Sequence, residues 1–289
     1  MKKALLSLAA ILLAVSAFAQ MRYGFKTGLN FASIRGPIAQ DAAGANLEKI
    51  ENVTGFSIGA TFGYGFTDNF GIRGEFLYSK RGMKYTYEGA AYRYFSVNNT
   101  PVLTRGNDRY LVVVNNSYLD IPILGYAKAG NFEFNAGAYV GFLVQSTGEG
   151  SSTYNGKPDN SNKVTGDLKF SLQHNYYQDK PGEFKADDVI TAQVGDRVVE
   201  VPKIHGAYYD YSEDKGNLYN TIDYGVLGGV SYFVSRSLYV GVRLQYGLSD
   251  VSNNKVDFVK AAPDENGAKV FSEDKDRNFN IQATVGFSF

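Results

Sequence analysis

Seven ionisable residues fall on the polar side of segments whose other side is apolar: Lys26, Arg73, Glu75, Asp120, Glu133, Asp223 and Arg243. Three are basic and four acidic. Enclosed together, such groups pair, because a charge taken out of water without a partner costs several kcal/mol. Lining an open passage, they would instead bind ions and pass them on. The sequence favours the first arrangement, a polar network with pairs such as Arg73 or Arg243 with Glu75 or Glu133, and leaves a narrow polar conduit as the alternative.

Other candidates for chemistry are weaker. His174 and His205 are the only histidines, with Ser171, Asp179 and Asp210 near them in the chain. A nucleophile needs a base held on rigid elements, and both histidines fall in a segment that reads as a mobile loop. The acidic runs "EDKD" at 273–276 and "PDENG" at 263–267 lack the spacing of a calcium loop and read as solvated charge. No catalytic, cofactor-binding or metal-ligating residue is assigned, no cofactor is implied, and the chain is expected not to be an enzyme.

The elements that must position the seven charges alternate with period two. In "LYVGVRLQYGL" (238–248) Leu238, Val240, Val242, Leu244, Tyr246 and Leu248 share one face, with Arg243 and Gln245 on the other. In "FEFNAGAYVGFLV" (132–144) the phenylalanines, alanines and valines oppose Glu133 and Asn135. The same strand signal recurs near 22–31, 54–66, 70–80, 117–127, 222–234 and 279–289, giving eight strands. Pro122, inside one of them, lacks an amide donor and predicts a bulge near Asp120 to Pro122.

Connectors alternate too. Short ones occur at 67–69, 129–131 and 235–237, and long ones at about 32–53, 81–116, 146–221 and 249–278. Aromatics gather at both ends of the apolar face. Near the short turns lie Phe66, Phe70, Phe132, Tyr232, Phe287 and Phe289, expected as membrane-interface anchors. Ten residues from Phe56 to Phe66 at a 45° tilt span roughly 23 Å, the height of a lipid-facing band. An all-β, eight-stranded antiparallel up-and-down transmembrane β-barrel with long extracellular loops and periplasmic termini follows. A soluble ligand-binding barrel has the same strand count but turns its apolar face inward.

Composition agrees. "MKKALLSLAAILLAVSAFAQ" has the basic, apolar and small-residue order of a signal peptide, expected to be cleaved after residue 19 and to leave 20–289 as the barrel domain. Cysteine is absent, which excludes disulfides and thiolate metal sites. Removing Lys2 and Lys3 from 29 basic residues leaves 27 against 29 acidic ones, with no electrostatic footprint for nucleic acid.

The long connector at about 146–221 is the least ordinary segment. It opens on "STGEGSSTYNGKPDNSN" and contains "DVITAQVGDRVVEV", a hairpin about Gly195-Asp196 in which Ile190, Ala192 and Val194 face Val199 and Val201. Its arms are short and flanked by charge, so an extracellular extension is preferred to a ten-stranded barrel. Further on, "HGAYYDYSEDKGNLY" places Tyr208, Tyr209, Tyr211 and Tyr219 among small and acidic residues, the composition of adaptable binding surfaces. Mutual packing of these tyrosines is the alternative. Tyr85, Tyr87, Tyr92, Tyr94 and Tyr110 on the second long connector join that surface or extend the barrel wall.

The leader followed by "YGFKTGLNFA", the "LDIPIL" segment at 119–124 and the terminal "VGFSF" resemble the small outer-membrane β-barrel family often labelled porin-family or PorT-like. The resemblance covers essentially the whole mature chain and implies the outer membrane of a Gram-negative envelope. Members similar to PorT take part in a protein secretion system, so it also implies that role as an alternative. The expected function is a non-enzymatic barrel with a structural and surface-binding role through its long loops. Its expected partners are outer-membrane lipid and lipopolysaccharide, the barrel-assembly machinery through the C-terminal strand, and a surface or envelope protein.

Overall fold

The computed structural model describes residues 21–289; the expected leader lies outside them. Within that range the chain forms strands and no helix. In order they are β1 (Met21–Arg35), β2 (Glu48–Glu51), β3 (Val53–Gly65), β4 (Phe70–Val97), β5 (Thr100–Ala129), β6 (Phe132–Pro158), β7 (Leu168–Asn175), β8 (Val189–Val194), β9 (Arg197–Pro202), β10 (Ile204–His205), β11 (Ile222–Phe233), β12 (Leu238–Gly247) and β13 (Arg277–Ser288).

Eight of these pair antiparallel in a ring. β1 pairs β3, β3 pairs β4, β4 pairs β5, β5 pairs β6, β6 pairs β11, β11 pairs β12, β12 pairs β13, and β13 returns to β1. The closing seam runs from Gly24↔Ser288 to Arg35↔Arg277 and is tied at its lower end by the Phe289 amide, 2.7 Å from the Tyr23 carbonyl. A closed ring leaves no unpaired edge, the condition for crossing lipid with strands.

The three short connectors, at 66–69, 130–131 and 234–237, each join consecutive ring strands. Around this end the wall turns apolar side chains outward. Phe66, Phe70, Phe132, Tyr232 and Phe289 are exposed, as a lipid interface requires, and half-buried Phe287 stacks on Phe25 at 5.1 Å between ring centroids.

β4, β5 and β6 are far longer than the expected 70–80, 117–127 and 132–144. The connector expected at 81–116 is instead the upper half of a continuous β4–β5 hairpin that turns at Asn98-Asn99. Both asparagines have left-handed φ, 51° and 62°, the backbone that a two-residue hairpin turn demands. The Gly/Ser-rich stretch after 145 likewise continues β6 to Pro158 and pairs with β5 and β7. The four strands stand above the ring as a wall, and β2 pairs with its β4 edge.

At the join, the β5–β6 register shifts between Ser117 and Tyr118, where β6 carries an extra residue, Val144. Below it the inward residues of β6 are odd-numbered (Glu133, Asn135, Tyr139, Leu143), and above it they are even (Ser146, Ser152, Tyr154). The bulge therefore lies here, not at Asp120 to Pro122 as expected. At Pro122 the ladder to β4 merely lapses between Gly74↔Ile123 and Leu77↔Asp120 without a change of register, because the missing donor removes a bond and adds no residue.

β8 and β9 form the expected hairpin about Gly195-Asp196, pairing Ile190↔Val201, Ala192↔Val199 and Val194↔Arg197. They make a separate two-stranded sheet, so the ring stays at eight. Ala192, Val194 and Val201 bury against Phe95, Tyr154, Leu168 and Phe170 of the wall.

Candidate functional site

All seven expected lumen residues are buried inside the ring. They form stacked layers. Nearest the short turns, Arg73 grips Glu133 through two contacts of 2.8 Å, with Lys128 at 4.0 Å. The next layer centres on Glu75, which accepts two bonds from Arg243 at 2.7 and 2.8 Å and an ion pair from Lys26 at 2.7 Å. Above it Asn30, Gln282, Ser57 and Ser79 link through side-chain hydrogen bonds.

A third ionic layer was missed in the sequence because its cation, Arg81, falls one residue past the expected end of β4. Arg81 binds Asp120 at 2.9 Å, lies 3.5 Å from Asp223 and stacks over Tyr118. Its position was available: Arg73, Glu75, Leu77, Ser79 and Arg81 continue one parity on one strand. A void of about 10 Å³ beside Lys26, Arg73 and Arg243 has room for about one water.

Above the Arg81 layer the interior becomes apolar. Ile34, Val112, Val114, Leu172, Tyr176 and Tyr219 pack together over Tyr118. Over this floor β4, β5 and β7, the 205–219 segment and the 249–276 connector surround a cavity of about 320 Å³. This is within the size range of small-molecule sites.

The tyrosines expected to form an exposed binding surface do not do so. Tyr208 and Tyr219 are buried and Tyr209 and Tyr211 half-buried. Tyr208 meets Tyr211 edge-on at 5.6 Å, its hydroxyl donating to the Tyr176 carbonyl, while Tyr219 meets Tyr176 at 5.1 Å. Apolar ring area on a polar segment is better buried against its own kind than left in water, so the patch turns inward, and Tyr209, Tyr211 and Tyr219 line the cavity. Tyr85 and Tyr110 on the wall complete it from the other side, the Tyr85 hydroxyl donating to Glu48 at 2.7 Å.

The histidines are also not on a mobile loop. His174 belongs to β7 and His205 to β10, which adds in parallel to β7. His205 stacks on Tyr209 at 3.8 Å and its Nε2 lies 2.8 Å from the Pro202 carbonyl. His174 meets the Tyr176 hydroxyl through Nδ1 at 2.9 Å. Burial lowers both imidazoles to about 4, so they are neutral near pH 7. Ser171 instead pairs with Ile204 in the β7–β10 ladder, and Asp179 caps the Asn175 and Ala207 amides.

The "EDKD" run, expected as solvated charge, is partly turned inward. Asp274 and Asp276 approach Asp257 so that one oxygen from each lies within 4.8 Å of the others. All three line the cavity. Burial, followed by repulsion from Asp276 and Asp274, raises Asp257 to about 7; burial together with Asp274 and Asp250 raises Asp276 to about 6. Arg93, also in the lining, binds Asp108 at 3.0 Å and Ser152 at 2.8 Å.

A closed eight-stranded ring, apolar outside and polar within, with aromatic side chains at its rim, defines an outer-membrane β-barrel. The chain belongs to the family described as outer membrane protein beta-barrel domain, whose model matches residues 18–253. No curated protein matches it. Among solved structures it is similar to Ail, the attachment invasion locus protein of Yersinia pestis, in complex with the heparin analogue sucrose octasulfate, at 11% identity over 93% of this chain and 99% of that one, with a TM-score of 0.35. It is also similar to OprG of Pseudomonas aeruginosa, at 11% identity over 93% and 95% with a TM-score of 0.33. For Neisserial surface protein A the identity is 12% over 92% and 97%, with a TM-score of 0.30.

Proposed function

We propose that this outer-membrane barrel is a non-conducting, non-enzymatic anchor that carries a binding chamber on its long-connector end, facing the cell exterior. The observation that carries this reading is the vertical order of the interior: ionic layers fill the ring, and a cavity of about 320 Å³ opens only above them. An eight-stranded ring is just wide enough for side chains to fill. The narrow-channel reading lacks such support, since the layers leave room for about one water at the Lys26–Arg243 level. Secretion-machinery membership rests on the family resemblance alone.

Binding is then concave: the tyrosines act as chamber lining, and a macromolecular partner or lipopolysaccharide would meet the polar outer face of the wall. The outward orientation is supported by the asymmetry of the two rims, one closed by short turns and the other extended by the β4–β7 wall and the connectors beside it. Cysteine labelling tests it, because the chain has no cysteine of its own. Asp264→Cys on the 249–276 connector should react with an impermeant maleimide on intact cells, and Arg236→Cys in a short turn only after the outer membrane is opened. The reverse pattern would overturn the orientation.

A further inference from the structure

The chamber has a chemical bias. Its lining includes five carboxylates, Glu48, Asp210, Asp257, Asp274 and Asp276, against two side chains that carry positive charge, Arg93 and Lys260. Neither forms a salt bridge to Asp257, Asp274 or Asp276 among the described residues, although the Lys260 charge acts on Asp257. Arg93 serves Asp108 at 3.0 Å and Asp210 at 3.8 Å, while the Lys260 ammonium lies over the rings of Tyr110 and Phe258 at 4.2 and 4.9 Å. Asp257, Asp274 and Asp276 therefore face the cavity as a group of acids gathered within 4.8 Å and repelling one another. Such an arrangement is costly unless protons or a cation relieve it.

The rest of the lining says what should accompany that cation. Ile34, Val112, Val114 and Leu172 make an aliphatic floor, and Tyr85 and Tyr110 stand beside it, edge to face at 6.1 Å. His174, only 8% exposed, lines the same cavity as a neutral imidazole; Nδ1 is held by Tyr176, and Nε2 makes no hydrogen bond among the described residues. That leaves one polar atom of the lining free for a ligand group. An apolar floor, aromatic sides and few convergent polar groups are the usual make-up of a small-molecule site.

We infer that the chamber takes a small amphipathic amine: an aromatic or aliphatic body seated on the Ile34–Val112–Val114–Leu172 floor, with a protonated amino head against Asp257, Asp274 and Asp276. This rests on the chamber reading above and adds the class of ligand. An anionic ligand of the same shape would meet the five carboxylates and be excluded, so the site selects by charge as well as by size.

The test uses three indoles of matched body and different head: tryptamine (ammonium), tryptophol (hydroxyl) and indole-3-propionate (carboxylate). The chain has 22 tyrosines and no tryptophan, so energy transfer from tyrosine to a bound indole reports occupancy without background from the protein. The mature protein is placed in phosphatidylcholine nanodiscs, with EDTA present and empty nanodiscs as reference. Tryptamine should saturate at a concentration roughly tenfold below tryptophol, the worth of one charge-assisted hydrogen bond, and indole-3-propionate should be weakest. The triple variant Asp257→Asn, Asp274→Asn, Asp276→Asn should lose the tryptamine advantage and keep tryptophol binding, which also establishes that its chamber is folded. Should the triple variant fail to fold, Asp257→Asn alone should narrow the advantage. Equal affinity for all three, or tighter binding of the carboxylate, would overturn the amine assignment and leave the chamber standing. No transfer from any of them would overturn both.

Discussion

Arg243 on β12 holds Glu75 on β4 with both terminal nitrogens, at 2.7 and 2.8 Å, from the strand four places around the ring of eight. The pair therefore spans the lumen along a diameter, and Lys26 of β1 closes on the same carboxylate at 2.7 Å. Glu75→Ala would leave two buried cations without their acceptor. A loss of about 3–5 kcal/mol in barrel stability is expected. Urea titration of the reconstituted protein checks it; Glu75→Ala combined with Arg243→Met should recover some of the loss, since it removes one orphaned charge.

Arg81 ties the next ionic layer up in the same way, between Asp120 and Asp223. Arg81→Met leaves two neighbouring buried acids and should also cost about 3–5 kcal/mol. An effect within about 0.5 kcal/mol, the range of a surface substitution, in the same titration would show that the layer is not a structural tie.

The acidic corner makes the upper connector sensitive to pH. Asp257 rises from 3.8 to about 7 and Asp276 to about 6 on folding, so the folded chamber holds protons that the open connector releases. The contribution is fully present below about pH 4 and is lost as pH rises through 6 to 7. Hydrogen exchange of residues 249–276, corrected for intrinsic rate, should show more protection at pH 5 than at pH 8. Asp257→Asn should flatten that difference. Protection that rises with pH would contradict it.

The Asn98-Asn99 turn isolates the upper wall from the ring. A β-branched residue in left-handed backbone costs about 1–2 kcal/mol, so Asn99→Val should open the tip of the β4–β5 hairpin to limited proteolysis while leaving urea stability of the ring unchanged. Asn99→Gly should protect the tip as well as the native residue does.

The ring was legible in the sequence because lipid outside and a filled lumen inside impose opposite polarity on alternate residues, and eight segments obey it. The upper wall was not, for two physical reasons. Above Lys80 the outer face turns polar, so the same parity of β4 changes meaning: inward Arg73, Glu75 and Arg81 give way to inward Met83, Tyr85, Tyr87 and Phe95, with Lys84 and Glu88 outside. At Val144 the bulge in β6 switches the inward parity itself. A pattern of fixed polarity and phase loses the strands at both points. The lumen charges survived this limit because they lie below it; Arg81 did not, because it lies on it. The chamber was hidden for a further reason: Asp257, Asp274, Asp276, Tyr209, Tyr211 and Tyr219 come from connectors whose meeting with the wall depends on tertiary packing, and local spacing carries no sign of it.

The anchor-and-chamber arrangement requires a filled ring with the binding space standing over it. Planar-bilayer recording of the wild-type protein tests this most directly. The wild type should give no stable ionic conductance. Steady open-channel conductance in the wild type, reduced by substitutions at Arg73 or Arg243, would contradict the filled ring and restore the conduit.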